Sequence, residues 1–178
     1  NQFRFVRGDV RAVSLPAYTA DAVEIGDLLW WDAANDAVRP ADQVGGANYA
    51  AKKANLATAF VGVALSAKEA GRTGYVLVAT EGDFLFAAPS GDGTAMEVGQ
   101  ILAGGNGTAM QNQTVFKADS TAEAIGVAVA PKSTSEAAVY CRILSRLSQL
   151  GLHAAAVGTL NLADGAAITF GSRSLSRS

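Results

Sequence analysis

The sequence predicts a mainly β protein: a small β-barrel or β-sandwich built from two repeated strand units, with one short helix and a C-terminal β-hairpin. Three observations predict it. Short runs of Val, Ile, Leu, Phe and Tyr are separated by Gly, Asn and Asp, the punctuation of strands and turns. Only one stretch, about residues 47–59, combines good helix formers with apolar spacings of three and four. Three short motifs recur in the same order in the two halves of the chain. A few short strands cannot bury their apolar face alone, whereas two such units packed together can.

The chain has 178 residues, one domain's length. Charged residues are 17% of it, below the usual ~25%. Net charge is −2. These values argue against disorder and against a nucleic-acid partner held by phosphate neutralisation. No apolar run reaches the ~18 residues of a membrane-spanning helix, so no membrane partner is expected. Cys141 and His153 are the only residues of their kinds. A cysteine zinc site and a disulfide within the chain are thereby excluded, and any His-based triad would need His153. That histidine lies in Leu150-Gly-Leu-His-Ala with no acid beside it and reads as a polar residue in a connection.

Taken in order, residues 1–17 form an N-terminal arm. Arg4, Arg7 and Arg11 make it locally positive, and Pro16 ends any strand or leaves it on an edge. Residues 18–146 form the β-rich domain, duplicated as 18–88 and 94–146. Val23-Glu-Ile-Gly-Asp-Leu-Leu29 matches Met96-Glu-Val-Gly-Gln-Ile-Leu102, Phe60-Val-Gly-Val-Ala-Leu65 matches Ala124-Ile-Gly-Val-Ala-Val129, and Gly74-Tyr-Val-Leu-Val-Ala79 parallels Ala138–Leu144. The Glu-x-Gly element reads as a turn between strands, because no helix start or Lys-Ser/Thr follows it. Residues 147–178 are a C-terminal extension. Within it, Gly158–Phe170 reads as a hairpin around Asp164-Gly165, a two-residue turn signal, followed by a polar tail.

Residue types that carry chemistry are sparse. Asp32, Asp36 and Asp42 lack the spacing of a calcium loop, and no metal or cofactor is expected. Glu24 and Glu97 occupy equivalent turns, which makes them structural rather than a catalytic pair. Gly91-Asp-Gly93 and Gly104–Gly107 precede no helix pattern and read as turns. Arg7-Gly-Asp9 falls in the arm. Trp30 and Trp31 are adjacent on a strand, so their rings point to opposite faces: one to the core, the other outward, to an interface or as a sugar-stacking platform.

The succession Ile25-Gly-Asp-Leu-Leu, Val38-Arg-Pro-Ala, an Ala-rich insertion, Phe60-Val-Gly-Val-Ala, Val76–Gly82, Val98-Gly-Gln-Ile-Leu, Ile125-Gly-Val-Ala and Val139–Leu144 resembles the capsid decoration (cement) proteins of tailed bacteriophages. The resemblance spans roughly residues 15–144. It implies a small β-barrel or β-sandwich, a homotrimer, and a place on the outer surface of the virion after synthesis in the host cytoplasm. It implies a structural, non-enzymatic function: clamping neighbouring subunits of the major capsid protein. Phe3, Arg4, Phe5, Arg7 and Arg11 are the expected capsid-contact arm. Trp30, Trp31, Leu160, Leu162, Ile168 and Phe170 are the expected self-association residues. The alternative is a carbohydrate-binding β-module displayed on a virion or cell surface. The enzyme alternative is a carboxylate-dependent hydrolase.

Overall fold

The computed structural model describes residues 10–148, together with the backbone of strand segments 4–7, 159–161 and 167–169. The fold is mainly β, with a closed five-stranded barrel, a second sheet and one short helix. The barrel is ordered β2-β4-β3-β5-β6. Its strands are β2 (Ala12–Ala17), β3 (Leu28–Asp32), β4 (Ala37–Pro40), β5 (Phe60–Ala64) and β6 (Gly74–Ala79). Every neighbour pair is antiparallel except β2–β4, a parallel contact at Ala17 and Val38 that closes the ring. Residues 12–17 are thus a barrel strand; the stretch expected as an arm ends before Ala12.

The second sheet has the order β1-β7-β11-β10-β8-β9. Here β1 is Arg4–Arg7, β7 Asp83–Ala87, β8 Ile101–Gly104, β9 Val115–Lys117, β10 Gly126–Ala128 and β11 Ala138–Ile143. Without β1 this is the barrel's own order, with β7 in the place of β2 and β9 in the place of β4. A parallel bridge between Ala87 and Thr114 stands where β2 meets β4. The first strand of the second unit is therefore β7, which the sequence motifs had grouped with the first half.

The likeness of the two units extends to single hydrogen bonds. Gly26 N–H donates to Ala64 O and Gly99 N–H to Ala128 O, both at 2.8 Å. Ala64 N–H donates to Asp27 O and Ala128 N–H to Gln100 O, both at 2.9 Å. Val23 and Lys68 exchange two main-chain bonds, as do Met96 and Lys132. Cores correspond as well. The barrel interior holds Ala17, Val23, Leu29, Val38, Val61, Ala64, Val76 and Val78. Matching places in the second unit hold Ala88, Met96, Leu102, Val115, Ile125, Ala128, Val139 and Cys141.

Gly62 and Gly126 mark where β5 and β10 cross their neighbours most closely. A Cβ on Gly62 would lie 2.0 Å from Ala79 O, and one on Gly126 2.6 Å from Arg142 O. No side chain fits either place.

The helix, α1, runs Tyr49–Ala59, two residues later than the propensity alone suggests. Asn48 caps it: the Asn48 carboxamide oxygen accepts from Ala51 N–H at 2.9 Å. The helix buries Lys53 and Leu56 and passes directly into β5 at Phe60. Leu56 and Phe60 join Leu28 and Val63 in one apolar cluster with the whole interior of the second unit. The two units therefore share a core.

The C-terminal hairpin pairs β12 (Thr159–Asn161) with β13 (Ala167–Thr169), antiparallel. Leu160 is in register with Ile168, and the turn expected at Asp164-Gly165 lies outside the described residues. In the sheet order β12 and β13 pair only with each other.

Candidate functional site

Several of the buried polar groups are held by internal contacts. Lys68 lies under the first unit's turns, and its ammonium donates to the carbonyls of Thr19, Asp21, Glu69 and Arg72 at 2.8–3.3 Å. Lys132 does the same in the second unit, reaching Thr94 O and Ser133 O, both at 3.2 Å. Burial pulls both lysines below the usual range. Asp21 O matches Thr94 O, and Glu69 O matches Ser133 O, two residues before and one after equivalent positions. These lysines were missed in the sequence reading. A signal was present: both repeats read Gly-Val-Ala, one apolar residue, two more, then Lys.

The acids behave likewise. Asp21 and Asp32 hold Arg39 at 2.7 and 3.2 Å. Hydrogen bonds, first from Asn35 and then from Arg39, keep Asp32 below the ordinary carboxylate range against the pull of burial. A cleft of about 500 Å³ is lined in part by Asp21, Glu24, Asp27 and Asp42. Asp27 is buried there, accepting from Glu24 N–H at 2.8 Å and from the Gln113 amide at 3.0 Å; desolvation raises its pKa. Among the described residues, no group of three His, Cys, Asp or Glu is placed to hold a metal ion. Glu24 and Glu97 sit in the matching turns of separate units. Cys141 is fully buried, and burial pushes its thiol up to about 12, which leaves it protonated and unreactive.

The expected arm residues divide. Arg4, Phe5 and Arg7 lie on β1, in register with Leu85, Phe84 and Asp83 of β7, with a bulge between Phe5 and Arg7. Arg11 is exposed beside Glu81 at 3.7 Å. Phe3 lies outside the described residues, as do Gly8, Asp9 and His153.

The expected self-association residues divide too. Trp30 turns to the shared core: its indole N–H donates to Pro40 O at 3.1 Å, and the Arg39 guanidinium lies 6.0 Å from its ring centre. Trp31 turns the other way, to the barrel interior, and stays half-buried at the barrel's open end. Leu160 and Ile168 face each other in the hairpin. Leu162 and Phe170 lie outside the described residues.

That open end offers an apolar site among the described residues. A groove of about 450 Å³ is lined by Leu15, Trp31, Ala33, Ala59, Val61, Arg146 and Leu147. In the second unit the places of Val13 and Leu15 are taken by Phe84 and Phe86, both fully buried. The first unit has smaller residues there, and Val13 is 37% exposed. The mouth of one unit is therefore filled and that of the other open. No periodic pattern in sequence marks it, since its residues come from four separate segments.

Fold and site together define a tandem β-unit protein with one open, apolar barrel mouth. No protein-family model matches the chain, and no curated protein matches it.

Proposed function

We propose that this is a structural virion protein that binds the outside of a phage capsid and stabilises the shell by clamping neighbouring major capsid subunits. The observation that carries this reading is where its chemistry is spent. Buried lysines and acids tie the two units internally, while an apolar mouth and main-chain strand edges face outward. Such a body is suited to holding other protein chains. Strand addition at sheet edges supplies main-chain hydrogen bonds, and several modest contacts on one rigid body add up. The pairing of β1 along the edge of β7 within the chain is a contact of that kind. In this reading the protein is not an enzyme, needs no cofactor, works as a homotrimer, and meets the capsid through Arg4, Arg7 and Arg11. A glycan module is the weaker reading. Trp31 has a half-exposed ring, but the groove around it is aliphatic apart from Arg146, and sugars require several polar groups.

The test is co-sedimentation with expanded, empty phage heads. The native chain is expected to pellet with the heads to saturation, and the triple reversal Arg4→Glu, Arg7→Glu, Arg11→Glu to weaken binding at least tenfold. A chain that stays in the supernatant at all head concentrations overturns the reading. A shift of Trp fluorescence on titration with glycans would favour the alternative.

A further inference from the structure

The two matched units differ at one edge, and that difference identifies a docking site. Thr80 N–H donates to Arg11 O at 2.8 Å, which turns the odd-numbered residues of β2 toward β6. Main-chain groups alternate along a strand, so the N–H and C=O of Ala12 and Ser14 point away from β6. Their counterparts in the second unit are Asp83 and Leu85, because Leu15 faces Val76 as Phe86 faces Val139. Asp83 and Leu85 are covered by β1. Ala12 and Ser14 pair with no described strand beyond β6, since β2 meets β4 only at Ala17. Pro16, the next outward position, has no N–H, which limits the open edge to a strand of about three residues. Beside it lies the apolar mouth, with Leu15 contributed by β2 itself.

We propose that this edge and mouth accept one strand of the β12–β13 hairpin from a second copy of the chain. The hairpin fits on three counts. Its strands are three residues each, the length of the open edge. Its register pairs two apolar residue types, Leu160 and Ile168, and the mouth is apolar. Among the described residues the hairpin pairs with no other strand, and a lone two-stranded hairpin is marginal in water. Each copy carries one donor hairpin and one acceptor edge. The contact is therefore head-to-tail, giving a ring where the rotation between copies closes and an open chain where it does not. The inference concerns self-association and stands whether or not a capsid is the partner.

Sedimentation equilibrium of the full chain, without capsid, is the first measurement. The expected mass is a multiple of 18.2 kDa. Leu160→Asp with Ile168→Asp is expected to return it to a single chain, with the barrel's unfolding midpoint unchanged. Ser14→Pro, which removes an outward N–H, is expected to do the same. Mixing Ser14→Cys chains with Thr159→Cys or Thr169→Cys chains should give an interchain disulfide under mild oxidation, because Cys141 is buried. A native chain that sediments at 18.2 kDa at every concentration overturns the proposal. So does a Ser14→Cys, Thr159→Cys double variant that cross-links only within one chain. Loss of capsid binding with self-association intact would overturn the functional reading and leave this one standing.

Discussion

Gly62 shows how one residue position decides whether the barrel closes. Its φ is +143° and β5 passes so near β6 that an added Cβ would meet Ala79 O at 2.0 Å. The main chain of Ala79 cannot give way without breaking the β5–β6 pairing. Gly62→Ala is expected to destabilise the protein by roughly 3 kcal/mol or more, as strain and clash combine. Gly74→Ala is the control: a Cβ there meets nothing within 4 Å, so the change should stay within about 0.5 kcal/mol. Urea unfolding of the two variants makes the comparison. Equal losses would mean that the close approach is not what requires glycine at 62. Gly62 was legible in sequence as part of a repeated motif. Its reason was not, because Ala79 lies across a strand pair that only folding brings together.

At the scale of elements, α1 is what the second repeat lacks and what joins the two units. Lys53, nearly buried on the helix, reaches Glu123 at 2.9 Å and Asp119 at 2.5 Å, both in the second unit. Burial works against its charge, but the bonds to these carboxylates prevail and raise its pKa. Glu123 is itself buried, and Lys53→Met would leave it without its counter-charge, keeping only the hydrogen bond from Asp119 N–H at 3.1 Å. That variant is expected to lose about 3 kcal/mol in denaturant unfolding, the usual cost of stranding a buried charge. Glu123→Gln in the same background should recover part of it; no recovery would show that the loss came from packing. The helix itself was readable from the run Tyr49–Ala59, where propensity and spacing agree. Its ion pair was not, because the partners are about seventy residues away and no local period links them. Strand content was similarly plain from β-branched runs. The assignment of β2 and β7 as opening strands was hidden, because each pairs first with a strand far ahead of it in the chain.

For the whole molecule, the shared core sets the cooperativity. Leu28, Leu56, Phe60 and Val63 of the first unit pack in one cluster with Phe84, Phe86, Leu102 and Cys141 of the second. Neither unit can open without exposing that cluster. Calorimetry is expected to show a single transition whose calorimetric and van't Hoff enthalpies agree. Two resolved transitions would mean that the units are independent despite the packing. The second unit was half-legible in sequence: its motifs recur, but its cores diverge, with Phe and Met where the first unit has Leu and Val. That divergence fills one mouth and leaves the other open, and so breaks the symmetry of a chain otherwise built twice.

The pairing of β1 with β7 bears on the order in which the chain is made. Synthesis proceeds from the N-terminus, so Arg4–Arg7 leaves the ribosome well before its partner Asp83–Ala87 exists. All five strands of the first unit emerge in that interval. A segment made before the whole first unit is thus among the last to find its place, and while it waits, the still uncovered β7 of another chain is as good a host as its own.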